Sequence, residues 1–273
     1  MIQFPNAKIN LGLNIVARRP DGYHDIETIF YPIPLCDILE IVPAQDGRTT
    51  LTVYGRNIDC PTEKNLVMRA CRLMQREFHA PDVNMFLTKI IPDGAGLGGG
   101  SADAAFTLRM INELFSLGAD KKTLAELAAE IGADCPFFIY NAPMIATGIG
   151  EILTPIDISL EGYKLLLIKD DSISVPTKLA YSRVTPKPGK TPISQIVSKP
   201  VTEWQGLLKN DFEESVFTQF PQLDELKTQL IDMGAIYAAM SGSGSSVFGI
   251  FDRANMTDTS KLNKFGKIFD MQL

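Results

Sequence analysis

The chain has 273 residues, 45% hydrophobic and 21% charged, proportions ordinary for a soluble globular enzyme of one large or two modest domains. A formal net charge of −6 and a pI near 5.1 argue against a general nucleic-acid binder, which carries a basic face. No uninterrupted apolar run approaches membrane-spanning length, so neither nucleic acid nor membrane is expected as a partner.

The first residues, Met1 to Lys8, lack a basic segment followed by an apolar one, so no secretory signal is expected. Cys36, Cys60, Cys71 and Cys135 show neither a CxxC pair nor a metal-ligand spacing and read as reduced, packed thiols. A cytoplasmic location follows as the expectation. From Ala7 to Val16, Ile9, Leu11, Leu13 and Ile15 alternate with Lys8, Asn10, Gly12 and Asn14, which predicts a strand with Lys8 and Asn10 on one face. Arg18 to His24 is a turn by its Pro-Asp-Gly chemistry. His24 is one of two histidines, and alone a loop histidine is more often solvated than functional. Two apolar runs separated by Pro32 and Pro34 follow, then a short strand at Leu51–Tyr54.

Asn65 to Phe78 reads as a helix by Leu66, Ala70, Leu73, Met74 and Phe78, with Pro81 beyond its end. A strand-like run at Val83–Leu87 leads into Ile90 to Ala105, where five glycines (Gly94, Gly96, Gly98, Gly99, Gly100) fall within seven positions. Helical spacing resumes at Ala104, Ala105, Leu108, Ile111 and Leu114. Strand, glycine loop and helix N-terminus present several N–H groups and a helix dipole to an anion, usually a phosphate. A short helix at Lys122–Ile131 runs into Gly132-Ala133-Asp134-Cys135-Pro136-Phe137-Phe138. Asp134 there is a turn cap or a partly buried acid with tuned protonation, and local sequence leaves both open.

The boundary between halves is placed near Thr154–Gly162, giving expected domains 1–157 and 158–273. Lys164–Ile168 is a buried strand, and Thr185–Pro200, rich in proline and lysine, reads as a surface loop. Phe220–Met233 is helical, and Ser241–Ser246 is a second glycine loop between strands, for which a simple hairpin is the bland explanation.

Three phosphate-binding classes compete for the central loop. A P-loop needs lysine before the serine, and Gly100 stands there instead. Gly94-x-Gly96-x-x-Gly99 satisfies the dinucleotide pattern formally, but Asp120, at the required offset, follows the helix with no strand before it. A small-molecule kinase loop remains, for which transfer needs positioning, charge neutralisation and a base. Lys8 and Asp134 are the right residue types for the last two tasks.

Five stretches carry a family resemblance: Pro5-Asn6-Ala7-Lys8-Ile9-Asn10-Leu11, Arg19-Pro20-Asp21-Gly22-Tyr23-His24, Pro92 to Ala105, Gly132 to Phe138 and Met240 to Gly244. On these the chain resembles the GHMP kinases along essentially its whole length. The resemblance implies a two-domain α+β fold, with a ribosomal protein S5 domain 2-like N-terminal ATP-binding domain, a ferredoxin-like C-terminal domain, and the active site in the cleft between. It implies transfer of the γ-phosphoryl group of ATP, with Mg²⁺, to the 2-hydroxyl of 4-diphosphocytidyl-2-C-methyl-D-erythritol in the non-mevalonate route to isopentenyl diphosphate. By the same resemblance Asp134 accepts the hydroxyl proton and Lys8 stabilises this acid and the developing charge. Asn10 holds the methylerythritol, while Tyr23 and His24 serve the cytosine, one stacking and one hydrogen-bonding. Tyr181 covers the other ring face, and Thr177, Gly242 and Ser243 close the substrate side. Asn65 and Lys89 are adenine-side contacts. Pro92, Asp93, Gly94, Ala95, Gly96, Leu97, Gly98, Gly99, Gly100 and Ser101 wrap the triphosphate. No carboxylate is assigned to Mg²⁺, which is expected on the phosphates, with Ser101 as the available hydroxyl. Ala102 stands where a second serine is common, and Cys135 where a small apolar residue is usual. A monomer or homodimer is expected. Kinases of mevalonate, homoserine or a sugar are the nearest alternatives; an oxidoreductase or a non-catalytic kinase-fold protein are the others.

Overall fold

The computed structural model describes residues 1–56, 60–186, 191–254 and 258–273. Its strands are β1 (Ile2–Gln3), β2 (Asn6–Arg18), β3 (His24–Cys36), β4 (Ile38–Pro43), β5 (Thr50–Gly55) and β6 (Val83–Lys89). They continue as β7 (Met144–Gly148), β8 (Ile152–Pro155), β9 (Tyr163–Lys169), β10 (Tyr237–Met240), β11 (Val247–Asp252) and β12 (Lys267–Gln272). The helices are α1 (Leu66–Phe78), α2 (Gly99–Leu114), α3 (Lys121–Ile131), α4 (Cys135–Tyr140), α5 (Thr177–Ser182), α6 (Ile193–Val197), α7 (Phe212–Gln219) and α8 (Pro221–Asp232). Among the described residues no helix is long and apolar enough to cross a membrane.

The chain forms two compact units. The first comprises residues 1–7, 35–93 and 98–142. Its sheet runs β1-β4-β6-β5, with β5 parallel to β6 and the other pairs antiparallel. α1 and α2 pack on each other, their apolar stripes supplying Val67, Ala70, Met74, Ala104, Leu108 and Ile111 to the buried interior. Asp120, the acid of the failed dinucleotide pattern, is the N-cap of α3 and accepts from the Thr123 N–H at 2.8 Å.

The second unit comprises residues 8–34, 94–97 and 143–273. One sheet runs β2-β3-β7-β8; the other, β10-β11-β9-β12, is antiparallel throughout. Leu165 to Ile168 are buried on both faces, as befits a strand with neighbours on either side and a covered sheet. Leu166 and Ile168 belong to a core shared with Leu13, Phe212, Leu223, Leu226 and Leu230. Packing thus groups residues 8–34 and 143–157 with the C-terminal stretch, a division unlike the expected one at 157/158, because β2, β3, β7 and β8 form one sheet.

Two local expectations are corrected. Pro32 and Pro34 do not split the second apolar region: β3 runs through both. Two residues apart, they lack N–H groups on the same edge, beyond Phe30, the last residue paired with β7. The expected loop at Thr185–Pro200 contains α6, whose Ile193, Ile196 and Val197 are buried at helical spacing. Residues 187–190 of that stretch lie outside the described residues.

Candidate active site

The strand, loop and helix expected around the glycines are β6, residues 90–98 and α2; β6, α2 and the two ends of the loop belong to the first unit, residues 94–97 to the second. Gly98 is the helix N-cap, held left-handed at φ 70°, a conformation that favours glycine. Its carbonyl accepts from the Ala102 N–H at 2.9 Å, but no side chain caps the first turn. Gly99, Gly100 and Ser101 therefore offer amides at the positive end of α2 to an acceptor from outside the helix. Pro92 is buried and Asp93 exposed. The Ser101 hydroxyl hydrogen-bonds to the Cys135 thiol. Burial pushes that thiol up to about 11, so Cys135 stays a neutral neighbour rather than a nucleophile.

Asp134 immediately precedes α4 and makes no side-chain cap to it. Cys135 to Ile139 are all buried, so the half-buried Asp134 sits where an apolar helix anchors the turn. Asn65 is the N-cap of α1: its Oδ1 accepts from the Val67 N–H at 3.0 Å.

Lys89, expected on the adenine side, is the last residue of β6. It continues the inward face of β6 after Val83, Met85 and Leu87, and it is 2% exposed. Its ammonium donates to Asp37 Oδ2 at 2.5 Å and to Asp103 Oδ2 at 2.7 Å. These two carboxylates outweigh the burial and raise its pKa. Two of the three N–H donors of this ammonium are thus engaged by buried carboxyl groups of its own unit.

The second unit holds Lys8 and Asn10 on one face of β2, as the alternation predicts, but that face is not solvated. Lys8 is 3% and Asn10 2% exposed. Lys8 Nζ donates to Asn10 Oδ1 at 2.6 Å and lies 4.7 Å from the centroid of the Phe30 ring. Asn10 Nδ2 donates to Thr28 Oγ1 at 2.9 Å, and the Thr28 hydroxyl donates to the Gly12 carbonyl. This chain orients the amide so that its oxygen faces the ammonium.

Gly94 to Leu97, the middle of the central loop, pack within this unit. The Lys8 N–H donates to the Leu97 carbonyl at 2.9 Å, and Ser246 N–H to the Ala95 carbonyl at 3.3 Å. Ser241 Oγ donates to the Gly96 carbonyl at 2.9 Å and accepts from the Asn10 N–H at 3.2 Å. A Cβ on Gly96, at φ 75°, would lie 2.0 Å from the Ser241 carbonyl oxygen. The second glycine loop is therefore more than a hairpin: it abuts the first. Gly242 packs on Asn10, and the Ser243 and Thr177 hydroxyls meet at 3.3 Å.

His24 stacks on Tyr181, ring centroids 5.1 Å apart and planes 25° from parallel. That is the spacing of two rings in direct contact, so no third ring fits between these two as they stand. Tyr23 is 61% exposed. Burial first, then the nearby Arg18, lowers the His24 pKa, keeping the imidazole neutral with one donor and one acceptor nitrogen.

Sequence reasoning passed over the residues that hold these groups in place. Asn210, 3% exposed, donates through Nδ2 to the carbonyls of Met240 and Gly242, both at 2.8 Å. Asp211 Oδ2 accepts from the Ile15 N–H at 2.7 Å, and Glu213 Oε1 from Met240 N–H at 2.8 Å. Polar residues clustered ahead of a helix were the available signal, but their partners are some thirty or, for Ile15, 196 residues away. Among the described residues no three His, Cys, Asp or Glu side chains gather as a metal would require.

Residues 65–142 match the GHMP kinases N terminal domain and residues 194–261 the GHMP kinases C terminal domain. The 4-diphosphocytidyl-2-C-methyl-D-erythritol kinase of Bacteroides fragilis is 53% identical over 253 residues, covering 92% of both chains. A crystal structure of 4-(cytidine 5'-diphospho)-2C-methyl-D-erythritol kinase superposes with a TM-score of 0.84 at 33% identity, covering 99% of this chain and 98% of the other. Mevalonate kinase from Methanococcus jannaschii, with a TM-score of 0.75 at 16% identity and coverage of 100% and 98%, shares the fold.

Proposed function

The chain belongs to the GHMP kinases, among the 4-diphosphocytidyl-2-C-methyl-D-erythritol kinases, and on that premise we propose how its own residues perform the phosphoryl transfer. The reaction moves the γ-phosphoryl group of ATP to the 2-hydroxyl of 4-diphosphocytidyl-2-C-methyl-D-erythritol, releasing ADP. In our reading Asp134 accepts the proton of that hydroxyl as its oxygen attacks the γ-phosphorus. The bond to the β-phosphate oxygen breaks, and its electron pair leaves with ADP. Lys8 keeps Asp134 ionised and meets the charge developing on the transferring oxygens. Asn10 orients Lys8 and holds the methylerythritol. The observation that carries this reading is the buried Lys8–Asn10 pair, hydrogen-bonded to each other and, through Asn10, to Ser241 of the second glycine loop. A lysine 3% exposed is costly unless its charge is used.

The amides from Gly94 to Ser101 take the triphosphate, Asn65 serves the adenine side, and Thr177, Gly242 and Ser243 face the sugar-alcohol. Tyr23 stacks on the cytosine with Tyr181 on its other face, so the ring enters by displacing His24 from Tyr181. A neutral His24 then offers a donor and an acceptor to the base edge. Mg²⁺ riding on the phosphates would neutralise charge between the nucleotide and the acceptor. The boundary near 157/158 belongs to the same proposal, supported by the two matched family segments lying on either side of it. A cytoplasmic location is supported by four cysteines that are all free.

A coupled assay of ADP release, offering the cytidyl substrate, mevalonate and homoserine in parallel, tests the assignment. Turnover is expected with the cytidyl compound alone. Release with mevalonate or homoserine but not with it would sink the substrate assignment.

A further inference from the structure

We propose that Asp37, Lys89 and Asp103 form a buried ionic clamp that positions the glycine loop for the phosphates of the nucleotide, acting through the backbone and never touching the ligand. The inference rests on the reading that this loop holds ATP. Lys89 ends β6, and the two residues after it begin the loop. Asp37 Oδ1 accepts from both of their amides, Ile90 N–H at 2.5 Å and Ile91 N–H at 2.9 Å, while its Oδ2 accepts from Lys89. Asp103 stands in the second turn of α2 and takes another hydrogen from the same ammonium at 2.7 Å. One lysine thus joins the strand end, the first loop residues and the helix that follows. Packing closes the same seam: a Cβ on Gly99 would lie 2.9 Å from Ile91 Cγ2 and 3.3 Å from Lys89 Nζ.

The clamp is expensive as a core element. Its three side chains are 0 to 3% exposed, two carboxyl groups share one ammonium, and Asp103 Oδ1 is buried without a hydrogen-bond partner. Apolar residues of the same volume would fill this space at least as stably. They could not accept from the Ile90 and Ile91 amides, nor fix the direction of α2 relative to them. A loop so rich in glycine has many conformations to lose on binding a triphosphate. Fixing its two flanks beforehand lowers that cost, which is preorganisation. Asp37, Lys89 and Asp103 are positioning residues.

The test uses the full chain, with hydrogen exchange read by mass spectrometry and steady-state kinetics in ATP and in the cytidyl substrate. Asp37→Asn keeps the shape but sets an amide N–H against either the Lys89 ammonium or the two backbone N–H groups. It is expected to raise exchange across residues 90–101, and KM for ATP, at least about tenfold, with KM for the cytidyl substrate within about twofold. Asp103→Asn, whose amide oxygen still accepts from Lys89, is expected to keep KM for ATP within about threefold of wild type. An Asp37→Asn protein with wild-type loop exchange and wild-type KM for ATP overturns the clamp, even if it melts earlier. Should Asp37→Asn fail to fold, Asp103→Ala leaves the Lys89–Asp37 pair intact. The same rise in KM for ATP is then expected, and a wild-type value refutes the proposal. ATP with Mg²⁺ should protect residues 94–101 in the wild type; no protection there overturns the nucleotide reading itself, and the clamp's purpose with it.

Discussion

Asp134 carries the sharpest prediction at the scale of single residues. Asp134→Asn preserves shape and the turn before α4 but cannot take a proton. Turnover is expected to fall by about two to four orders of magnitude while nucleotide binding, followed by titration, stays near wild type. A variant that keeps most of its activity removes Asp134 from the base position. Lys8 and Asn10 were legible because a strand period of two places residues two apart on one face whatever the rest of the chain does. The same period extends from Val83 to Lys89, and it points that lysine inward. What it cannot supply is the partner. Asp37 and Asp103 lie 52 and 14 residues from Lys89 and reach it only in the folded unit.

Among elements, the two glycine loops show how far local chemistry carries. Five glycines before a helix point to an anion site without any tertiary information, because left-handed backbone and inward amides are local properties. Why Gly96 in particular must be glycine is a contact between loops. Gly96→Ala would place a methyl group 2.0 Å from the Ser241 carbonyl oxygen and hold alanine at φ 75°. The loops must separate, and kcat/KM is expected to fall about 100-fold or more, since displacements near 1 Å at a reacting centre cost that much. Kinetics with both substrates will check it; wild-type kcat/KM would mean the loops need not touch. The α6 helix was missed because prolines and lysines around it masked a single turn of Ile193, Ile196 and Val197. Prolines end helices and central strands, yet Pro32 and Pro34 sit in a strand edge that needs no donor.

For the whole molecule, the buried carboxylates set a dependence of stability on pH. Burial raises the Asp103 pKa from the ordinary 3.8 to about 8, with the Asp37 charge adding to it and Lys89 opposing. Between those values the unfolded chain has released this proton and the native chain keeps it, so the native state binds more protons and this contribution falls as pH rises. Asp103→Asn is neutral in both states and removes the effect. Denaturant melts from about pH 5 to pH 9 are expected to show wild-type stability declining relative to the variant as pH rises; a constant difference would mean that Asp103 is ionised throughout. The family and most helices and strands were determined by sequence alone. Spacing along a chain fixes which side chains share a face, and glycine fixes which backbone shapes are open. Tertiary structure decided that Lys89 meets Asp37 and Asp103, that His24 lies on Tyr181, and that Asn210 anchors the second loop. Each depends on groups far apart in the chain meeting away from water, where a charge or an amide must find a partner, and only the fold says which partner it is.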